Sequence, residues 1–197
     1  MIKLHLGCFD VPLEGWYNAD VTMHLVVTRI PFLPSILYTL KLLDAHRLNQ
    51  HKAGVFRKVH YLNALKRFPF RDGSVEAVYS SHMLESFSRD GAVRCLREVR
   101  RVLKPGGVVR LAMADLDGWV RGYTPKNPDS FLLLLFQPDV KKNNDRIHWM
   151  YNTESLRTLL VDAGFRDVTP RERNRGACPD VEHIDYREGS VYMEGFK

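Results

Sequence analysis

Residues 68–113 constrain the fold more than any other stretch of this chain. The run FPFRDGSVEAVYSSHMLESFSRDGAVRCLREVRRVLKPGGVVRLAM reads as turn, strand, loop, amphipathic helix, Lys-Pro-Gly-Gly stop and second strand. Asp72-Gly73 marks the turn, and residues 75–80 form the strand. Ser88 is placed to cap a helix over 89–103. Ala92, Leu96, Val99 and Leu103 make its apolar stripe, and Arg94, Arg97, Arg100 and Arg101 lie off it. Pro105-Gly106-Gly107 is expected to end the helix. Residues 108–114 are apolar apart from Arg110, as in a strand covered on both faces. Strand, helix and strand in this order are half of a parallel α/β sheet.

The flanking sequence extends the pattern. Residues 2–6 (IKLHL), 17–21 and 59–62 read as short strands, and 7–15 as a loop punctuated by Asp10, Pro12 and Gly15. Ile36, Leu37, Leu40, Leu43 and Leu48 recur near helical spacing, which predicts a helix over 34–48. Asn152 or Thr153 caps a helix over 154–163 whose Leu156, Leu159 and Leu160 face inward, with Gly164 as its stop. Residues 165–169 and 190–194 supply two last strands. The expected architecture is one α/β domain over 1–197 with an open doubly wound sheet. Two long connections, 22–56 and 115–146, interrupt it and are expected to act as lid or binding elements.

Composition excludes several classes. With 197 residues, 45% of them hydrophobic and 26% charged, the chain fits an ordinary globular domain. Cys8, Cys95 and Cys178 are few and far apart, so no zinc site or disulfide framework is expected. That usage and the short apolar run at the N-terminus point to a cytoplasmic protein. The apolar stretch 25–43 is broken by Arg29, Pro31, Pro34 and Lys41, which excludes a spanning helix. The net charge of +6 is first of all a solvated basic surface, and is compatible with an anionic ligand, nucleic acid or lipid.

Four blocks together resemble the class I S-adenosylmethionine (SAM) dependent methyltransferases, of the small type linked to saccharide and secondary-metabolite pathways. They are LHLGCFDVPLEGWYNAD from Leu4, FPFRDGSVEAVYSSHMLES from Phe68, EVRRVLKPGGVVRLAMADL from Glu98 and HWMYNTESLRTLLVDAGFRDV from His148. The resemblance implies a Rossmann-like, seven-stranded, mostly parallel sheet. Its last strand runs antiparallel between two others, and SAM lies at the carboxyl ends of the first strands. Two positions depart from the family. Phe9 stands where a second loop glycine is usual, and Ser86 follows Leu84-Glu85 where a histidine is common.

Carried over residue by residue, the resemblance places the cofactor against Gly7, Cys8, Phe9, Asp20, Asn63, Ala64, Leu65, Ser80 and Ser81. Gly7 permits close backbone approach, and N–H groups of its turn can hold a carboxylate; the alternative is that a lone glycine simply makes a tight turn. Asp20 offers two acceptors to ribose hydroxyls, although a strand-end Asp also caps turns. Asn63 can accept from the adenine amino group, or serve its own turn. His82 has the right chemistry for a base that deprotonates an acceptor hydroxyl; the alternative is a single structural hydrogen bond. Asp115 and His148 are further candidate catalytic residues, and Asp115 reads equally well as a solvated loop acid.

Tyr38, Trp119, Tyr123, Trp149 and Tyr151 are candidates to bind the substrate, with Ile36, Leu40 and Phe131 as further lining. An aromatic cluster suits a sugar or aromatic acceptor, or is simply a packed anchor. The expected activity is methyl transfer from SAM to a small molecule, at oxygen, on a saccharide or natural-product intermediate. The alternatives are a non-catalytic scaffold and a SAM enzyme of another reaction type. No nucleic-acid partner and no metal are expected. The 25–56 insertion is a candidate homodimer interface, since exposed apolar surface needs a partner.

Overall fold

The computed structural model describes residues 1–136 and 147–197. Seven strands form one sheet: β1 (Ile2–Leu6), β2 (Tyr17–Asp20), β3 (Val59–Tyr61), β4 (Val75–Ser81), β5 (Leu103–Ala114), β6 (Arg166–Arg171) and β7 (Ser190–Phe196). Their order is β3-β2-β1-β4-β5-β7-β6, with β7 antiparallel between β5 and β6. The first five strands are parallel, with Leu6 opposite both Ala19 and Ser80, Asp20 opposite Tyr61, and Ser81 opposite Ala112. The chain leaves β1 toward β2 on one side and returns through β4 on the other. The β1/β4 boundary is therefore the switch point where open α/β sheets bind ligands.

The apolar run of β5 is explained by its two faces. Val109, Leu111 and Met113 enter the main core with Leu4, Leu6 and Val78. That side is covered by α4 (Arg89–Val102) and α7 (Thr153–Asp162). Ser88 caps α4 by accepting from the Gly91 N–H at 3.2 Å, and Ala92, Cys95, Leu96, Val99 and Val102 are its buried face. Asn152 and Ser155 form a reciprocal capping box at the start of α7. Arg100 donates to the Gly164 carbonyl at 2.8 Å and so ties α4 to the end of α7.

On the other face, Val108 and Ala112 pack with Trp16, Ala77, Tyr79, Cys178, Ile184 and Tyr192. The cover here includes the segment between β6 and β7, containing α8 (Val181–Ile184). Arg110, fully buried, pins it. Its guanidinium donates to Asp185 Oδ1 at 2.9 Å, to Glu194 Oε1 at 2.9 Å, and to the carbonyls of Glu172 and Arg175 at 3.0 Å. Glu194 also accepts from Arg171, Ala177 N and Cys178 N. The buried charge in this strand is thus completely paired, which is the condition for burying it.

Several expected boundaries change. The helix over 34–48 is two helices, α2 (Leu33–Thr39) and α3 (Ala45–Lys52), because Asp44 starts a new helix by accepting from Arg47 N. α1 (His24–Val27) precedes them. Pro105-Gly106-Gly107 does not end α4. The helix stops at Leu103, whose ψ of 139° begins β5, and residues 104–107 bulge out between the pairs Val75–Leu103 and Ala77–Val108. The last two strands lie over Arg166–Arg171 and Ser190–Phe196, later or longer than expected. The second insertion holds α5 (Leu116–Gly122) and α6 (Pro128–Phe136), and its residues 137–146 lie outside the described residues. All three cysteines are buried free thiols. Among the described residues no helix is long and apolar enough to cross a membrane.

Candidate active site

The parallel strands deliver most of the candidate residues to one edge. Gly7 follows β1, Asp20 ends β2, Asn63 follows β3, Ser80 to His82 close β4, and Asp115 follows β5. Ser190, at the start of antiparallel β7, pairs with Ala114 at the same edge.

At the β1–β2 end the loop is tightly self-bonded. Gly7 adopts φ +74°, and the Gly7 and Cys8 N–H groups both donate to the Ala19 carbonyl, at 2.8 and 3.2 Å. They are therefore committed to the strand end, which corrects the expectation that this turn presents them to a carboxylate. A Cβ on Gly7 would come within 2.7 Å of the Met83 side chain, so Met83 crosses directly over the turn. The Cys8 thiol is not at an open site either. It packs with Leu25 and Val59, and burial pushes its pKa far up.

Asp20 is the organising group here. Its Oδ2 accepts from Phe9 N at 3.0 Å and its Oδ1 from Thr22 N at 2.8 Å. These two backbone donors fix the orientation of the carboxylate at the end of β2. The Phe9 ring lies against the first insertion. His24 and Phe56 flank it, and the Arg47 guanidinium sits 4.6 Å from its centroid. Asp10 holds Arg47 there at 2.5 Å. Asn63 Oδ1 accepts from Leu65 N at 2.9 Å, closing its own turn; Ala64 is buried and Leu65 exposed.

At the β4–β5 end the sequence places a constellation that its pattern does not announce. His82 has φ +52°, its N–H donates to the Ala112 carbonyl, and its Nε2 is 2.9 Å from Ser190 Oγ. Its Nδ1 is 3.4 Å from Glu85 Oε1. Glu85 is buried. Oε1 accepts from Ala114 N at 2.9 Å, and its carbonyl accepts from His148 N and Trp149 N. Burial pushes the Glu85 carboxyl up to about 7. Burial, with Arg187 nearby, pulls His82 down to about 4, so the imidazole is neutral at physiological pH. A quarter of the His82 side chain is accessible, against 4% for Glu85. His82 can meet a ligand, and Glu85 can act only through it.

The other candidates divide. Ser80 and Ser81 are buried beside this pair. Tyr151, expected to touch substrate, is instead buried in the main core, bridged to Asp115 through the Leu116 N–H to Tyr151 carbonyl bond, and burial raises its phenol to about 12. Asp115 caps α5 by accepting from Asp117 N and pairs with Arg121 at 3.1 Å. His148 and Trp149 are exposed beside Glu85, held by their backbones. Trp119 lies on α5, and Tyr123 packs edge-on against Phe131. Tyr38 lies on α2, which packs on α3 at the β3 side of the sheet, away from His82. Glu85 is the functional candidate that sequence reasoning missed. The available signal was an acid inside the otherwise family-like Leu84-Glu85 pair, with no surface role to explain it.

Residues 37–111 match the family described as methyltransferase domain. This is the class I SAM-dependent methyltransferase fold. Among solved structures, the chain resembles a SAM-dependent methyltransferase of Thermotoga maritima, described as a possible histamine N-methyltransferase. Identity is 21% and the TM-score 0.53, over 100% of this chain and 82% of the other. It also resembles a candidate O-methyltransferase of Nostoc punctiforme at 12% identity and TM-score 0.52, covering 100% of this chain and 52% of that one. PigF with SAH matches at 14% identity and TM-score 0.54, over 100% of this chain and 50% of PigF. The chain thus spans about half the length of two of these three. No curated protein matches by sequence.

Proposed function

We propose that this methyltransferase moves the methyl group of SAM to a hydroxyl of a small molecule, a saccharide or natural-product intermediate, with His82 as the base. The observation that supports this reading most is the neutral, partly accessible imidazole at the carboxyl end of β4, backed by the buried Glu85 carboxyl.

SAM supplies an electrophilic methyl group on a sulfonium. The fit rests on Asp20, whose carboxylate is held by two backbone donors at the β2 end and can accept from the ribose diol. Asn63, Ala64 and Leu65 follow the adjacent strand and suit the adenine. Met83 covers Gly7 and is the group that must swing aside; an unbranched thioether does so at little cost. At the other end, Glu85 Oε1 beside Nδ1 favours the tautomer with its proton on that nitrogen. Nε2 then holds a lone pair, engaged by Ser190. An acceptor hydroxyl that displaces the Ser190 contact would give its proton to Nε2, and its oxygen would take the methyl group as the sulfur–methyl bond breaks and S-adenosylhomocysteine leaves. Glu85 is a positioning residue that steadies the resulting imidazolium. Alignment and exclusion of water supply the rest.

The test combines calorimetry and turnover. Titration with S-adenosylhomocysteine should give a binding heat in the wild type and in His82→Ala. Transfer of labelled methyl to a panel of hydroxylated sugars and phenols should fall by about 10²–10⁴-fold in His82→Ala. Absence of binding heat in both proteins removes the cofactor assignment; unchanged turnover in His82→Ala removes the base.

A further inference from the structure

The stretch 21–71, which contains the first insertion, concentrates two properties. Residues 21–71 hold nine Lys or Arg and a single acid, Asp44, a net charge of +8. The remainder of the chain holds 20 basic and 22 acidic residues and is net negative. The basic character of the protein therefore belongs to this stretch alone.

The same stretch exposes large apolar side chains. Phe32 is 82% exposed, Leu42 72%, Met23 65% and Leu40 61%, and α2 has no buried residue. Arg29 and Lys41 are exposed between them, and no acid occurs from residue 21 to residue 43. Exposed apolar area of this kind normally has a partner.

We propose that this face docks on the surface of an anionic lipid bilayer. The charge chooses among occupants. A symmetric pairing of two copies would set the acid-free 21–43 segment, with Arg29 and Lys41, against itself, and those cations repel within the screening length of about 8–10 Å. A nucleic acid would match the charge but offers no apolar phase for Phe32 and Leu42. A bilayer with acidic headgroups offers both, with the apolar side chains at the acyl boundary and Arg29 and Lys41 at the phosphates. The inference is independent of the methyl acceptor.

The experiment is co-sedimentation of the whole chain with vesicles of phosphatidylcholine, alone or mixed with phosphatidylglycerol. Binding is expected to the mixed vesicles, weakened by salt. Phe32→Ser with Leu42→Ser, and separately Arg29→Glu with Lys41→Glu, should each lower the partition coefficient about tenfold or more. Because all four positions are exposed, the thermal midpoint should stay unchanged in both double variants. Equal or absent binding to the two vesicle types overturns the proposal. So does a concentration-dependent dimer abolished by the apolar double variant, or RNA binding that is tighter than vesicle binding and indifferent to it.

Discussion

His82 Nδ1 stands 3.4 Å from Glu85 Oε1, and burial moves the two groups' pKa values in opposite directions, to about 4 and about 7. Between about pH 4.5 and 6.5 each group is uncharged in the fold, where the isolated groups would both be charged. Its pH behaviour follows from linkage. Glu85 binds its proton more tightly folded than unfolded, so its contribution to stability falls from about pH 4.5 to about 7. His82 binds its proton less tightly when folded, so its contribution rises from about pH 4 to 6.5. The two slopes oppose each other. Glu85→Gln removes the falling one. Urea melts of the variant should therefore show stability rising from pH 4 to 6.5, and a gain over wild type above pH 7 on the order of 3 kcal/mol. A variant whose stability matches wild type at pH 4.5 and at pH 8 would mean that Glu85 is not held protonated.

The same substitution separates positioning from folding. A Gln still accepts the Ala114 N–H but cannot balance an imidazolium. Turnover of a hydroxyl acceptor should drop about tenfold or more in Glu85→Gln, with S-adenosylhomocysteine affinity within about twofold of wild type. A proportional loss of both would indicate a purely structural Glu85.

Asp20 is expected to carry the nucleoside contact. In Asp20→Ala the lost charge-assisted hydrogen bonds should weaken S-adenosylhomocysteine by about 10- to 100-fold by calorimetry. Asp20→Asn retains one acceptor oxygen and should fall between the two. An affinity unchanged in both variants rules out a ribose role.

Gly7 and Met83 are coupled. A Cβ at Gly7 meets Met83 at 2.7 Å and sits at φ +74°. Gly7→Ala should cost about 1–2 kcal/mol for the left-handed backbone, plus the clash. In a Met83→Ala background only the backbone part should remain. A double-mutant cycle in urea measures the difference, and additivity within about 0.5 kcal/mol would show that the two do not touch.

Arg110 is the keystone of the second sheet face. Arg110→Met leaves buried Asp185 without its cation and Glu194 with Arg171 alone, a loss on the order of 3–5 kcal/mol in denaturant melts. A loss below about 1 kcal/mol would mean that the 172–189 segment is held by other contacts.

What could be read from the sequence was local. The 3.6-residue spacing of Ala92, Leu96 and Val99 and the hydroxyl of Ser88 determine α4, because both act within one helix. The apolar run after Gly107 determines a doubly covered strand. The strand-end positions of Gly7, Asp20 and His82 follow once the strands are recognised, so the edge of the site was legible. Its chemistry was not. His82 meets Ser190 across 108 residues, and Arg110 meets Asp185 across 75. The pKa values of His82 and Glu85 are properties of burial rather than of residue type. Those facts depend on which chain segments pack together and on what is removed from water, and only the tertiary structure decides that.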